Sequence, residues 1–195
     1  MAVAAAGIRG AALKPFVTWY AATYGHAGLQ RALAALSDED RRRFSAAAPG
    51  IGISIAAWYP AAVIHQMLDT LLEGMDVRER TALASRGADY TLTASLTGYL
   101  DVAFRALVSP RVCQIVGPQI WHAFYSGGRV RIDAQGRRCH VMEVTDWTGH
   151  HGFLCEMNNA AGRAIYRAAG CAAVTTEHEA CIKRADRVCV YVIRW

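Results

Sequence analysis

The chain has 195 residues, of which 53% are hydrophobic and 19% charged, with a formal net charge of +5 at pH 7. That is apolar material enough for one core and a length that suits one domain, 1–195, with no linker or internal repeat to divide it. No run reaches the roughly 18 apolar residues of a membrane helix, and the apolar start carries Arg9 and Lys14 without a basic leader, so no membrane span and no signal peptide are expected.

The first 125 residues read as helices. Ile8 to Tyr24 has apolar residues at helical spacing and stops at Gly25, a residue that suits the C′ position. Ala27 to Leu36 is a second helix, and Ser37-Asp38-Glu39-Asp40 caps a short charged one through Phe44. Pro49-Gly50-Ile51-Gly52 is a break. Pro60 then suits the first turn of a helix to about Gly74. Asp76 caps a further helix, interrupted near Gly87. Ala88 to Leu107 is long and apolar, and Ser109-Pro110 opens the next helix, through Tyr125.

The pattern changes after Ser126-Gly127-Gly128. Val130–Asp133 alternates with period two, residues 133–136 form a turn, and His140–Val144 returns as a strand. Arg129, Arg131, Arg137 and Arg138 flank this hairpin, where they either bind an acidic partner or keep a solvated edge from pairing. Residues 151–168 are helical and closed by Gly170, and residues 171–178 and 187–194 are β-rich. Helices, hairpin, helix, hairpin is the order of an α+β fold: an N-terminal helical part, 1–125, packed on a C-terminal antiparallel sheet within 126–195.

The chemistry concentrates at the end of the chain. Cys155, His178, Cys181 and Cys189 follow the spacing C-x22-H-x2-C-x7-C. Three thiols and an imidazole form the ligand set of a closed, tetrahedral structural zinc site. Six cysteines are too few for a disulfide scaffold, so a reducing cytoplasm and metal-bound thiolates are expected. Cys113, Cys139 and Cys171 lack such partners and are assigned to the core.

Gly10-x5-Phe16-x3-Tyr20-x3-Tyr24-Gly25, together with Trp58-Tyr59-Pro60 before a long helix, resembles the opening of haem-based nitric-oxide-binding domains. The hairpin, helix and H-x2-C-x7-C hairpin resemble four-vinyl-reductase domains, among them the sensory domains of aromatic-responsive activators. Both groups share a superfamily with the trafficking TRAPP subunits, and the chain is similar to its stand-alone members, common in myxobacteria. The resemblance implies the nitric-oxide-signalling and Golgi-transport ligand-binding fold. It also implies zinc held by an acidic residue and three cysteines. The cysteines fall on Cys155, Cys181 and Cys189, and the acidic position on His178, with Glu177 and Glu179 beside it as alternative fourth ligands. Ala185-Asp186 stands where those domains usually have Gly-Asp in the turn. The haem family's helix histidine has no counterpart in Ala88–Leu107, and its Tyr-x-Ser-x-Arg clamp is displaced in Tyr125-Ser126-Gly127-Gly128-Arg129, so no haem is expected.

In that superfamily ligands lie between helices and sheet, which makes Trp121, His122, Tyr125 and His65 the candidate pocket residues. Ordinary core packing at a helix–sheet junction is the competing reading. Trp147-Thr148-Gly149-His150-His151 is a polar, aromatic loop with no carboxylate at a defined offset, a weak signal for metal or acid–base chemistry. No phosphate loop, nucleophile elbow or nucleic-acid motif is present. The expectation is a non-enzymatic sensory module that binds a small apolar or aromatic ligand, signals through a protein partner, and dimerises through the aromatic face of its N-terminal helices. A ligand-free dimeric adaptor of the TRAPP type and a tetrapyrrole-related accessory protein are the alternatives.

Overall fold

Strand β1 (Gly7–Arg9) leads directly into α1 (Gly10–Tyr24), whose first amides, Gly10 N and Ala11 N, donate to Ala57 O and Ile55 O. The computed structural model describes residues 6–95 and 109–195. After α1 come α2 (Ala27–Ala34), the short α3 (Asp38–Arg41), a 3-10 turn (Pro49–Gly52), β2 (Trp58–Pro60), α4 (Ala61–Leu71) and α5 (Val77–Ser95). The second half has α6 (Pro110–Phe124), β3 (Tyr125–Ser126), β4 (Arg129–Ala134), β5 (Cys139–Thr145), α7 (Gly152–Ala168), β6 (Thr175–Ala180), a 3-10 turn (Ile182–Arg184) and β7 (Cys189–Arg194). Much of the expected helix Ala88–Leu107 lies outside the described residues.

The caps are those the sequence announces. Ser37 Oγ accepts from Asp40 N at 3.1 Å, and Ser109 Oγ from Val112 N at 3.3 Å. Asp76 and Glu79 exchange bonds of 2.8 Å in a capping box. Gly87 does not interrupt α5. A Cβ there would lie 2.6 Å from the Phe16 ring, so the glycine lets α1 and α5 approach, and the helix runs through it.

Two sheets organise the chain. β2-β1-β3 is a small antiparallel sheet that pairs Gly7 with Pro60 on one side and with Ser126 on the other. It was not expected from sequence. It ties the start of α1 to the start of α4 and the end of α6. The larger sheet is antiparallel in the order β4-β5-β7-β6. Period-two alternation gives it one face of Val130, Ile132, His140, Val144, Cys189, Tyr191 and Ile193, all buried. α6 packs against that face at β4, and α7 at β6 and β7. The other face is charged: Arg131 pairs with Glu143 at 2.9 Å and Asp133 at 3.0 Å, and Arg194 with Glu177 at 2.9 Å. Arg129 pairs with Asp146. These arginines have partners within the chain, as a solvated sheet face requires.

The main core crosses from one half to the other, where α5 packs on α7 and the Phe16 and Phe153 rings meet edge-on at 5.6 Å. Phe16 and Tyr20 of α1 are buried in it. The motive for a homodimer, an uncovered aromatic face, is therefore gone at those two residues; Tyr24 stays exposed, with Arg86 over its ring. Among the described residues no helix is long and apolar enough to cross a membrane.

Candidate metal centre and aromatic junction

Three elements converge behind the large sheet. α7 supplies Cys155, β6 supplies His178 and leads into Cys181, and the first residue of β7 supplies Cys189. Their donor atoms all lie within 4.8 Å of one another. Cys189 Sγ is 3.9 Å from Cys155 Sγ and 3.8 Å from Cys181 Sγ. A tetrahedral ion with bonds of about 2.3 Å to sulfur separates its sulfurs by about 3.8 Å. Cys189 therefore stands at the edge length of a zinc tetrahedron from both other thiols, and Cys155 and Cys189 are fully buried.

Local structure holds each donor. In the Cys181–Asp186 knuckle, Cys181 N donates to Asp186 Oδ2 at 2.7 Å and Cys181 O accepts from Arg184 N at 2.7 Å. Ala185 takes the left-handed conformation at φ 69°, so alanine serves the turn where the resemblance would place glycine. His178 Nδ1 bonds Glu156 Oε1 at 3.2 Å, and its ring stacks on Tyr191 with centroids 4.5 Å apart. Its Nε2 is buried without a partner. Strand alternation decides among the alternative fourth ligands: Glu177 and Glu179 lie on the opposite face, at 2.9 and 3.7 Å from Arg194.

The electrostatics divide the three thiols: Cys181 is raised above its ordinary value, chiefly by burial. A shared hydrogen bond with Cys155 drives the Cys189 thiol far below its ordinary value, helped by the bond from His150 and by the nearby His178 ring, against the effect of burial. The same bond, with burial, drives Cys155 upward. Burial opposes charge on His178, but the nearby Cys189 and the bond to Glu156 outweigh that and raise it.

His150 is the residue that sequence reasoning missed. It is buried, and its Nδ1 lies 3.3 Å from Cys189 Sγ and 3.7 Å from Cys155 Sγ. The loop 147–151 that carries it is pinned on both sides. Gly149 O faces His65 Nε2 at 3.0 Å, while His151 uses Nδ1 to cap α7 at Phe153 N and Nε2 to meet Asp69 at 3.0 Å. Burial lowers the His65 pKa, partly offset by the bond to Gly149. The signal for His150 was present in the loop's paired histidines, but not which of the two points inward.

The same loop reaches the helix–sheet junction. The Trp121 and Tyr125 rings lie tilted against each other with centroids 4.3 Å apart, and Trp147 meets both edge-on at 5.1 and 4.9 Å. Trp121 Nε1 donates to Gly127 O at 3.1 Å, and Tyr125 Oη donates to Asn158 Oδ1 at 3.0 Å. Burial holds the Tyr125 hydroxyl neutral, well above its usual range. Trp147 Nε1 is buried without a partner. Of the four candidate pocket residues, Trp121 and Tyr125 come together here. His122 is exposed, and His65 serves the loop instead. A groove of about 320 Å³ lies elsewhere, beside β2, between Arg43, Trp58, Tyr59 and Ser126.

No family model matches the chain, and no curated protein is similar to it in sequence. The fold is that of H-NOX proteins. An Fe(II) unliganded H-NOX mutant from K. algicida superposes with a TM-score of 0.67 at 11% identity, over 96% of each chain. An H-NOX protein from S. oneidensis in the Fe(II)NO state gives 0.61 at 10% identity, over 96% of this chain and 98% of that one. An oxygen-binding H-NOX domain related to soluble guanylate cyclases gives 0.64 at 8% identity, over 96% and 94%. This corrects the expectation of no haem. Structures on which haem distortion was probed share this fold across nearly the whole chain, so a missing helix histidine and a displaced clamp do not exclude the group. Fit is a narrower matter. His65 and His151 are engaged with Gly149 and Asp69, His140 with Tyr166, and His26 and His122 are exposed. The arrangement of described residues thus presents no free junction histidine as an axial ligand.

Proposed function

We propose that the chain is a non-enzymatic sensory module that binds a small ligand between its helical half and its sheet, with a structural zinc ion locking the sheet half. The observation that carries this reading is the H-NOX fold over 96% of the chain, shared with a domain solved as its oxygen complex. The aromatic junction supports it: Trp121, Tyr125 and Trp147 offer apolar surface beside one idle indole N–H, the usual make-up of a small-molecule site. Zinc would be held by Cys155, Cys181, Cys189 and His178. Its charge would offset the clustered thiolates and cross-link α7, β6 and β7. Glu156, bonded to His178 Nδ1, then acts as the carboxylate that orients a metal-bound imidazole. The signal would pass to a protein partner.

Native mass spectrometry of protein expressed with zinc and haem supplied, read beside its absorption spectrum, tests this. The expected result is one zinc per chain together with a bound or titratable small ligand, haem and aromatic compounds being scored separately. Protein that carries no zinc, and neither holds nor takes up any such ligand, refutes it.

A further inference from the structure

On the zinc reading, on which this inference rests, the metal centre contains one donor more than a tetrahedral ion accepts. For bonds of about 2.3 Å to sulfur and about 2.0 Å to nitrogen, the sulfur-to-nitrogen edge of a tetrahedron is about 3.5 Å. His150 Nδ1 stands at 3.3 and 3.7 Å from two of the three sulfurs, and is thus placed as a ligand would be. Its side chain is buried, and its Nε2 has no partner. His178 offers an equally idle Nε2 to the same cluster. Two imidazoles face one remaining place.

Their supports differ. His178 is fixed on a strand, between the Tyr191 ring and Glu156. His150 rides on a loop, packed edge-on against Trp147 at 5.0 Å. We propose that His150 and His178 are alternative nitrogen donors to one metal ion, so that the centre has two ligand sets. With His178 bound, His150 carries its proton on Nδ1 and donates it to the Cys189 thiolate. With His150 bound, that proton resides on Nε2, Nδ1 takes the metal, and His178 keeps its Nδ1–H on Glu156. No proton is gained or lost overall. The exchange draws the 147–151 loop toward the sheet or releases it, and Trp147 moves with it at the aromatic junction.

The test loads ¹⁵N-histidine-labelled protein with ¹¹³Cd and reads metal–nitrogen coupling in the wild type, His178→Ala and His150→Ala. The expected result is one cadmium per chain in all three, coupled to His150 Nδ1 in His178→Ala and to His178 Nε2 in His150→Ala. If His178→Ala shows no coupling at His150, by losing the ion or completing its shell with water, exchange is overturned while the zinc reading stands. If His150→Ala loses the ion, His150 is the sole nitrogen donor and exchange is likewise overturned. Wild type that takes up no cadmium, and matches Cys181→Ser in doing so, overturns both readings.

Discussion

Replacing Cys181 by serine should separate a metal ligand from an ordinary buried thiol, with Cys113→Ser as the comparison. Both cysteines are buried, at 3% and 6% exposure, so burial alone predicts similar costs. Cys181 Sγ sits 3.8 Å from Cys189 Sγ in the candidate metal centre, whereas Cys113 packs in a second small core with Tyr166 and Ile193. Serine at 113 places a hydroxyl in an apolar pocket, which costs about 1–3 kcal/mol. Serine at 181 removes a soft ligand. At a free zinc concentration of roughly a thousand times Kd the metal stabilises the fold by about 4 kcal/mol. A chain of this size shifts its Tm by about 2–4 °C per kcal/mol, so the loss is about 8–16 °C. The assay is thermal unfolding of the wild type and both variants, with and without a zinc chelator. Wild type and Cys113→Ser should both fall by that amount on chelation, and Cys181→Ser should hardly respond. A Cys181→Ser protein that still responds as fully as the wild type, or a wild type indifferent to chelator, refutes the reasoning.

A Cβ on Gly10 would lie 2.0 Å from Ser54 O, where backbone must move, so Gly10→Ala should cost about 3 kcal/mol in denaturant unfolding. Gly152→Ala, which meets nothing within 4 Å, should stay within about 1 kcal/mol of the wild type. Burial pushes the Cys113 thiol up to about 11 from 9.0. At pH 8 it should therefore be alkylated about 100-fold more slowly in the native than in the denatured chain, as mass spectrometry after iodoacetamide would show. His65 is lowered from its ordinary 6.5, mainly by burial. The fold thus favours the neutral ring: its contribution is complete above the ordinary value and is lost as pH falls through the depressed one. Denaturation at stepped pH should show a shallower acid loss for His65→Gln than for the wild type, and equal slopes would contradict the assignment.

What could be read in sequence was what local pattern encodes. Alternation at Val130–Asp133 and His140–Val144 and the capping residues Ser37, Asp76 and Ser109 each survive in the structure because short-range chemistry determines them. The small sheet was illegible. Its strands have two or three residues, and Gly7 meets Ser126 across 119 positions, so no local window contains both sides of the pairing. Gly87 was misread because glycine's helix penalty is visible in sequence, whereas the Phe16 ring that needs the space is not. His150 and His151 are adjacent and identical in type. Only the course of the chain into α7 sends one to Cys189 and the other to Asp69. Haem was excluded by the absence of particular side chains, whereas the fold shared with haem-binding proteins is spread over the whole chain and is visible in no single residue.

The loop 147–151 explains how a structural ion and a ligand site could belong to one device. Its successive residues face different neighbours: Trp147 the aromatic junction, Gly149 the α4 histidine His65, His150 the thiols, and His151 the α4 carboxylate of Asp69. Four residues of one short loop thus touch both halves of the molecule and the candidate metal centre. Coupling between sites needs an element with two discrete arrangements, each preferred by one site's occupant. An exchange of imidazoles at the ion supplies two such arrangements, because a histidine is either on the metal or off it. If a ligand at Trp147 favours one of them, the metal's affinity must change by the factor that the metal imposes on the ligand's, since linkage is reciprocal. A purely structural ion held by His178 alone would leave the loop indifferent to it, and the two affinities would be independent.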